Sequence, residues 1–242
     1  RMLADNLPAD LVVSGVSIDV MSSHATRLAA MLVGGAILGF GDDKMLLGVL
    51  LALYAVSGVF LWRDADTSRP SQKGVLATLG AVLAQARGNR AILTVLALTP
   101  IFNIFVLPYL ALIALVFLER FETGPTLAGS LTAVEGVGTV IGGVAISILQ
   151  PKRRRLFFVA ALVGLLVSVF LVGSVTSLVA VVGILVIAGM LSSLYSSMQS
   201  ALIYTHCESE LRSPTFSLMT LSIGTGALGT VNVAWMGHYL MV

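Results

Sequence analysis

Glu135 is the residue in this sequence best placed to carry chemistry. It lies about eight residues into an apolar run at 127–149, with Val134 before it and Gly136 and Val137 after it. Burial strips water from a carboxylate and favours its protonated form. A glutamate so placed can load and release a proton near neutral pH. It then either couples a proton to transport or binds a cationic substrate. The alternative is a structural carboxyl, protonated or bonded to a neighbouring helix. Three more ionisable groups share an apolar setting: Asp19, His24 and Arg27. A charge at mid-membrane costs roughly 2.5–3.5 kcal/mol on insertion scales, so such groups face a bundle interior or a wet cavity. Arg27 stays charged in proteins. It suits an anionic group on a substrate, and equally a carboxylate on another helix. Asp19 precedes Arg27 by two turns, about 12 Å along a helix axis, too far for a direct ion pair. It fits an inner mouth facing basic loop residues as well as a cavity wall. His24 reads as a neutral, hydrogen-bonded histidine.

A second set is uncharged. Pro100 and Pro108 bracket Asn103 within one apolar run. Each proline removes a backbone donor and kinks a helix. Broken helices at membrane depth are tolerated where they line a cavity, and transporters use them as binding sites. Asn103 then offers its amide to a substrate or to a neighbouring helix, and the sequence leaves both open. Phe105 and Tyr109, with Phe102, are candidate aromatic wall. Tyr195 and Gln199, late in a later run, reach a cavity or only pack. Gly138-x-x-x-Gly142 and Gly35-x-x-x-Gly39 read as close helix contacts. The pattern Gly224-Thr225-Gly226-Ala227-Leu228-Gly229 matches a dinucleotide fingerprint, but it lies in an apolar run with no strand before it, so helix packing is the better reading.

All these residues need helices long enough to cross a bilayer. Of the 242 residues, 57% are hydrophobic and only 11% charged, with a mean hydropathy of +0.99. A soluble domain is about 25% charged. The composition excludes a soluble enzyme, a disordered tail and a nucleic-acid binder, and indicates an all-α polytopic bundle. A span needs about 20 apolar residues. Seven candidates occur, at about 11–40, 45–62, 91–118, 127–149, 156–173, 178–204 and 216–239. Between the second and third, Val75, Leu76, Leu79, Val82 and Leu83 recur at helical spacing and predict an amphipathic helix on the membrane face. The single cysteine, Cys207, permits no internal disulfide.

Loop charge orients the spans. Eleven of the 14 Lys and Arg residues fall in one set of loops, and only Lys44 and Arg120 in the other. Positive loops remain cytoplasmic, so the N-terminal end is expected inside the cell. The run Lys152, Arg153, Arg154, Arg155 serves chiefly this topology and can also attract anionic lipid.

The layout resembles the major facilitator superfamily. The residues that carry the resemblance are Leu3-Ala4-Asp5-Asn6-Leu7, the central Arg27 followed by Gly34-Gly35, and the basic linker with its surface helix. Asn103-Ile104-Phe105-Val106-Leu107-Pro108, Gly136-Val137-Gly138, Gly142-Gly143 and the turn Pro151-Lys152-Arg153-Arg154-Arg155 complete it. It is most similar to the bacterial efflux branch that includes enterobactin-exporter-like and transmembrane secretion effector proteins. Glu135 departs from the small residue that branch implies. The resemblance assigns these spans to helices five to eleven of twelve. Residues 1–63 would then end the N-terminal half, 64–90 form the cytoplasmic linker, and 91–242 hold five spans of the C-terminal half. Both ends are accordingly expected to be cuts in a longer protein.

The resulting expectation is a secondary transporter: a proton-coupled exporter of small molecules, of drug or siderophore type, working by alternating access. No catalytic residue, cofactor or metal is expected. The expected partners are the bilayer of the inner (plasma) membrane, a small-molecule substrate and protons, with a monomeric full-length protein and no nucleic acid. A channel, or another seven-helix protein without coupling, is the alternative. A retinal pigment would need a lysine within a span, and Lys44, Lys73 and Lys152 all lie in loops. No HExxH or GxSxG sequence is present.

Overall fold

The computed structural model describes residues 43–63, 75–229 and 231, with isolated positions 15, 18, 22, 23, 26, 29, 33 and 37. Asp19, His24 and Arg27, most of the first expected span, residues 64–74 of the linker and the end of the seventh span lie outside the described residues.

Among the described residues the secondary structure is helical, with no strand. The elements are α1 (Asp43–Arg63), α2 (Val75–Gly88), α3 (Arg90–Ile101), a π-helical turn (Phe102–Val106), α4 (Leu107–Arg120), α5 (Pro125–Leu149), α6 (Arg154–Ser174), α7 (Leu178–His206) and α8 (Ser209–Ile223). Four stretches are long and apolar enough to cross a membrane: Arg90–Arg120, Leu127–Leu149, Arg154–Ser174 and Leu178–His206. The first comprises α3, the π turn and α4 in succession. α1 contains the shorter apolar stretch Leu47–Phe60.

Local chemistry sets the helix ends. Asn89 caps α3 by accepting from the amides of Ala91 and Ile92, which satisfies donors a helix start otherwise leaves orphaned. Pro125 opens α5, where its missing N–H costs nothing. Arg120 Nη1 donates to the carbonyls of Val172 (3.1 Å) and Gly173 (2.9 Å) near the end of α6, placing a cation at the negative end of that helix.

α7 is the centre of the bundle. It packs against α5, α6, α3 and α8. One core cluster joins Ile92, Val95, Phe158, Leu165, Met198 and Leu202. A second, toward the opposite end, joins Ile113, Phe117, Val172, Val181 and Leu185. A stack of aromatic rings ties three helices: Phe102 lies 4.5 Å from Tyr195, and Tyr195 lies 4.8 Å from Phe158.

α2 does more than lie on a surface. It packs on α3 and α8, with Val82 and Ala86 fully buried. Leu83 remains 41% exposed, so only part of the expected apolar stripe faces the bundle. Two hydrogen bonds latch this corner. Asn89 Nδ2 donates to the His206 carbonyl at 3.0 Å, and the Cys207 thiol donates to Gln85 Oε1 at 3.1 Å. Burial pushes the Cys207 thiol up from its ordinary value.

The seventh expected span differs from a continuous helix. α8 stops at Ile223, the chain turns at Gly224 and Thr225, and helix resumes at Gly226. The amides of Gly224, Thr225, Ala227 and Leu228 all bond three residues back, tighter than the four-residue α pattern. Two glycines within three residues remove the propensity that would hold the α form.

Candidate functional site

Two broken helices face each other. The first break is the π turn between α3 and α4, flanked by Pro100 and Pro108. A proline cannot donate to the carbonyl four residues before it, and the wider turn absorbs that gap. The second break is the Gly224-Thr225 turn. Its freed carbonyl, Ser222 O, accepts from the Thr225 amide (3.0 Å), the Thr225 hydroxyl (2.6 Å) and the Asn103 side-chain amide (3.0 Å). Asn103 is only 4% exposed. Of the two roles open to Asn103, the bond to the neighbouring helix is therefore present. The glycines beyond the break seat against the π turn. A methyl on Gly229 would meet the Ile104 carbonyl and the Pro108 ring, and one on Gly226 would touch Leu107 and the Asn103 carbonyl. The Gly-rich pattern thus serves close backbone approach between two spans.

Glu135 occupies a different contact, the crossing of α5 and α7. A methyl on Gly138 would meet the Val186 backbone, one on Gly142 the Met190 backbone, and one on Gly189 the Glu135 carbonyl and Thr139 amide. The pairings advance in step along both chains, so the two helices run parallel. Small residues allow this approach, and packing rather than hydrophobicity holds helices together in lipid. Thr139 Oγ1 donates to the Glu135 carbonyl at 3.1 Å. The backbone of Glu135 is fixed in this way from two sides. The residue is partly buried and has a further interaction of its own.

Tyr109 brings the two regions together. Its hydroxyl is buried and has no hydrogen-bond partner among the described residues. The Glu135 carboxyl is close enough to act on it electrostatically. A buried hydroxyl without a partner is uncommon in a native fold, and the Ser193 and Ser197 hydroxyls share that state among the described residues. Phe105 turns the other way and is 49% exposed, while Phe102 belongs to the aromatic stack. The three aromatics near Asn103 therefore have three different settings, and Tyr109 is the one within electrostatic reach of Glu135.

Sequence reasoning ranked Tyr195 and Gln199 no higher than packing and passed over Thr99. The structure joins them. Gln199 Nε2 donates to Thr99 Oγ1 (2.7 Å) and to the Tyr195 hydroxyl oxygen (3.2 Å). Tyr195 and Gln199 are four residues apart, one helical turn, and that spacing was the available signal. The Ser222 carbonyl has no such signal, because a backbone group carries no residue identity.

The sequence model of the Major Facilitator Superfamily matches residues 1–230. No curated protein and no solved structure matches the chain.

Proposed function

Because this chain belongs to the Major Facilitator Superfamily, a family of multi-pass membrane transporters, we propose that it works as a proton-coupled exporter of small molecules, of drug or siderophore type. Glu135 carries the proton. Tyr109 supplies a hydroxyl to the same niche, where it can bond the carboxyl in one protonation state or a polar group of the substrate. Asn103 positions the wall by holding the two broken helices together. The observation that carries this reading is the buried Tyr109 hydroxyl, without a hydrogen-bond partner among the described residues and within electrostatic reach of Glu135.

Alternating access requires a carboxyl whose protonation follows the side to which it is open. A group at a helix crossing meets that requirement, because a small displacement of α5 against α7 changes its surroundings. In this reading the end bearing Arg90 and Lys152 faces the cytoplasm across the inner membrane, as an excess of positive loops favours. Small molecules that carry a polar or cationic group suit a niche with one aromatic ring, Tyr109, and a carboxyl.

The test is Glu135→Gln in the full-length protein, expressed in cells and challenged with a panel of lipophilic dyes and siderophores. Glutamine keeps the shape and removes the titration. Efflux driven by an imposed pH gradient should fall to background while membrane abundance stays the same. Unchanged pH-dependent efflux would remove Glu135 from the coupling role. Flux that fails to saturate and ignores the pH gradient would favour a channel.

A further inference from the structure

We propose that the basic end of the bundle carries a binding site for one anionic phospholipid. A cleft of ≈ 810 Å³ opens there, where α3 and α6 begin and α7 ends. Its lining brings together Arg90, Lys152, Arg153, Arg154 and Arg155, with no carboxylate among the described lining residues. Arg90 is separated from the others by more than sixty positions in sequence, so the fold, not the run of basic residues, concentrates the charge. His206 and Asn89 complete the polar mouth.

Three features select a phosphate-bearing head. Guanidinium groups bind phosphate through two parallel N–H bonds. The first amides of α6 have no side-chain cap, since Arg153 at that position makes no capping bond, and a helix start favours an anion. Asn89 has its Oδ1 on the α3 amides and its Nδ2 on the His206 carbonyl, so the far side of the cleft is held rigid.

The other wall selects a lipid over a free phosphate. The cations give way at once to Leu156, Val159 and Leu202 within the same cleft. Leu156 is 58% exposed and stands at the start of an apolar span. A headgroup on the cations would lay its acyl chains along α6, in the direction of the bilayer. A soluble anion would leave that wall uncovered. The site is separate from Glu135 and does not depend on the coupling reading.

The experiment uses purified full-length protein, delipidated in neutral detergent and titrated with short-chain phosphatidylglycerol, short-chain phosphatidylcholine or inorganic phosphate. Binding is read by thermal shift and by native mass spectrometry. Phosphatidylglycerol should bind saturably, at least tenfold tighter than phosphatidylcholine, and millimolar phosphate should not displace it. The double variant Lys152→Gln/Arg153→Gln and the single variant Arg155→Gln should each weaken phosphatidylglycerol severalfold. Lys44→Gln, outside the cleft lining, should leave it unchanged. Equal binding of the two lipids by the unaltered protein overturns the proposal without any variant. Displacement by phosphate alone also overturns it, in favour of a soluble anion.

Discussion

The α5–α7 crossing and the paired breaks at the π turn and Gly224 are both glycine-lined contacts, yet they do different things. At the crossing, three glycines let two intact helices touch backbone to backbone over two turns. No backbone–backbone hydrogen bond joins the two helices among the described residues, and the contact rests on close packing. At the breaks, glycines serve two helices that have each lost part of their internal bonding. The Ser222 carbonyl finds one partner across the gap, the Asn103 side-chain amide, and another within its own turn, the Thr225 hydroxyl. The first contact tolerates no added atom. The second depends on one side-chain amide. In this molecule the ionisable group sits on the intact contact and the backbone discontinuity on the other, and the Tyr109 hydroxyl, one turn beyond the π turn, is within electrostatic reach of Glu135.

The largest predicted effect comes from the crossing. Gly189→Leu should destabilise the full-length protein in detergent by about 3 kcal/mol or more, because the obstructing atoms are backbone and cannot rotate away. Gly183→Leu, on the same helix with open space around it, should change stability by less than about 0.5 kcal/mol. Equal losses in the two variants would mean that leucine itself, not the crossing, is responsible. Next is Gly229→Ala, which presses a methyl on the Ile104 carbonyl and should cost about 1–3 kcal/mol. A smaller loss would show that the broken side yields where the crossing does not.

Asn103→Ala should cost less, about 0.6–1.7 kcal/mol, the range for interhelical hydrogen bonds in membranes. Its thermal shift is the check, and no shift would mean that Thr225 alone satisfies Ser222. The smallest effect is read at Cys207, the only cysteine of the chain. Buried beside α2 with a raised thiol pKa, it should react slowly with a water-soluble maleimide at pH 7, where the thiol form predominates. If loosening the broken side also loosens the docked α2 corner by about 1 kcal/mol, Asn103→Ala should speed labelling roughly fivefold. An unchanged rate would show that the two neighbourhoods open independently.

Much of this was legible in the sequence because hydropathy reports on one helix at a time. The apolar runs gave the four described spans nearly to the residue. Val75, Leu76, Leu79, Val82 and Leu83 gave α2, and Gly138-x-x-x-Gly142 gave a close contact. Pro100 and Pro108 gave a disturbed helix between them. The site was legible only as a set of candidates. Asn103, Phe105 and Tyr109 were equivalent by position, and nothing in their order distinguishes a latch, an exposed ring and a buried hydroxyl. A π turn shifts the angular register of all that follows it, so helical spacing across residues 102–106 no longer reports which side chains share a face.

By itself, then, the sequence determined the class of molecule, the number of apolar runs, the clustering of positive loops and the short list of polar residues within them. These follow from the cost of placing polar groups in hydrocarbon, which acts on each segment separately. Only the tertiary structure decided that Gly189 seats on Glu135, that Asn103 bonds a carbonyl more than a hundred residues away, that Tyr109 comes within electrostatic reach of Glu135, and that Arg90 joins the cations of the α5–α6 turn. Those are choices of rotation and register between helices. They depend on which small residues coincide when two surfaces meet, and no single helix carries that information.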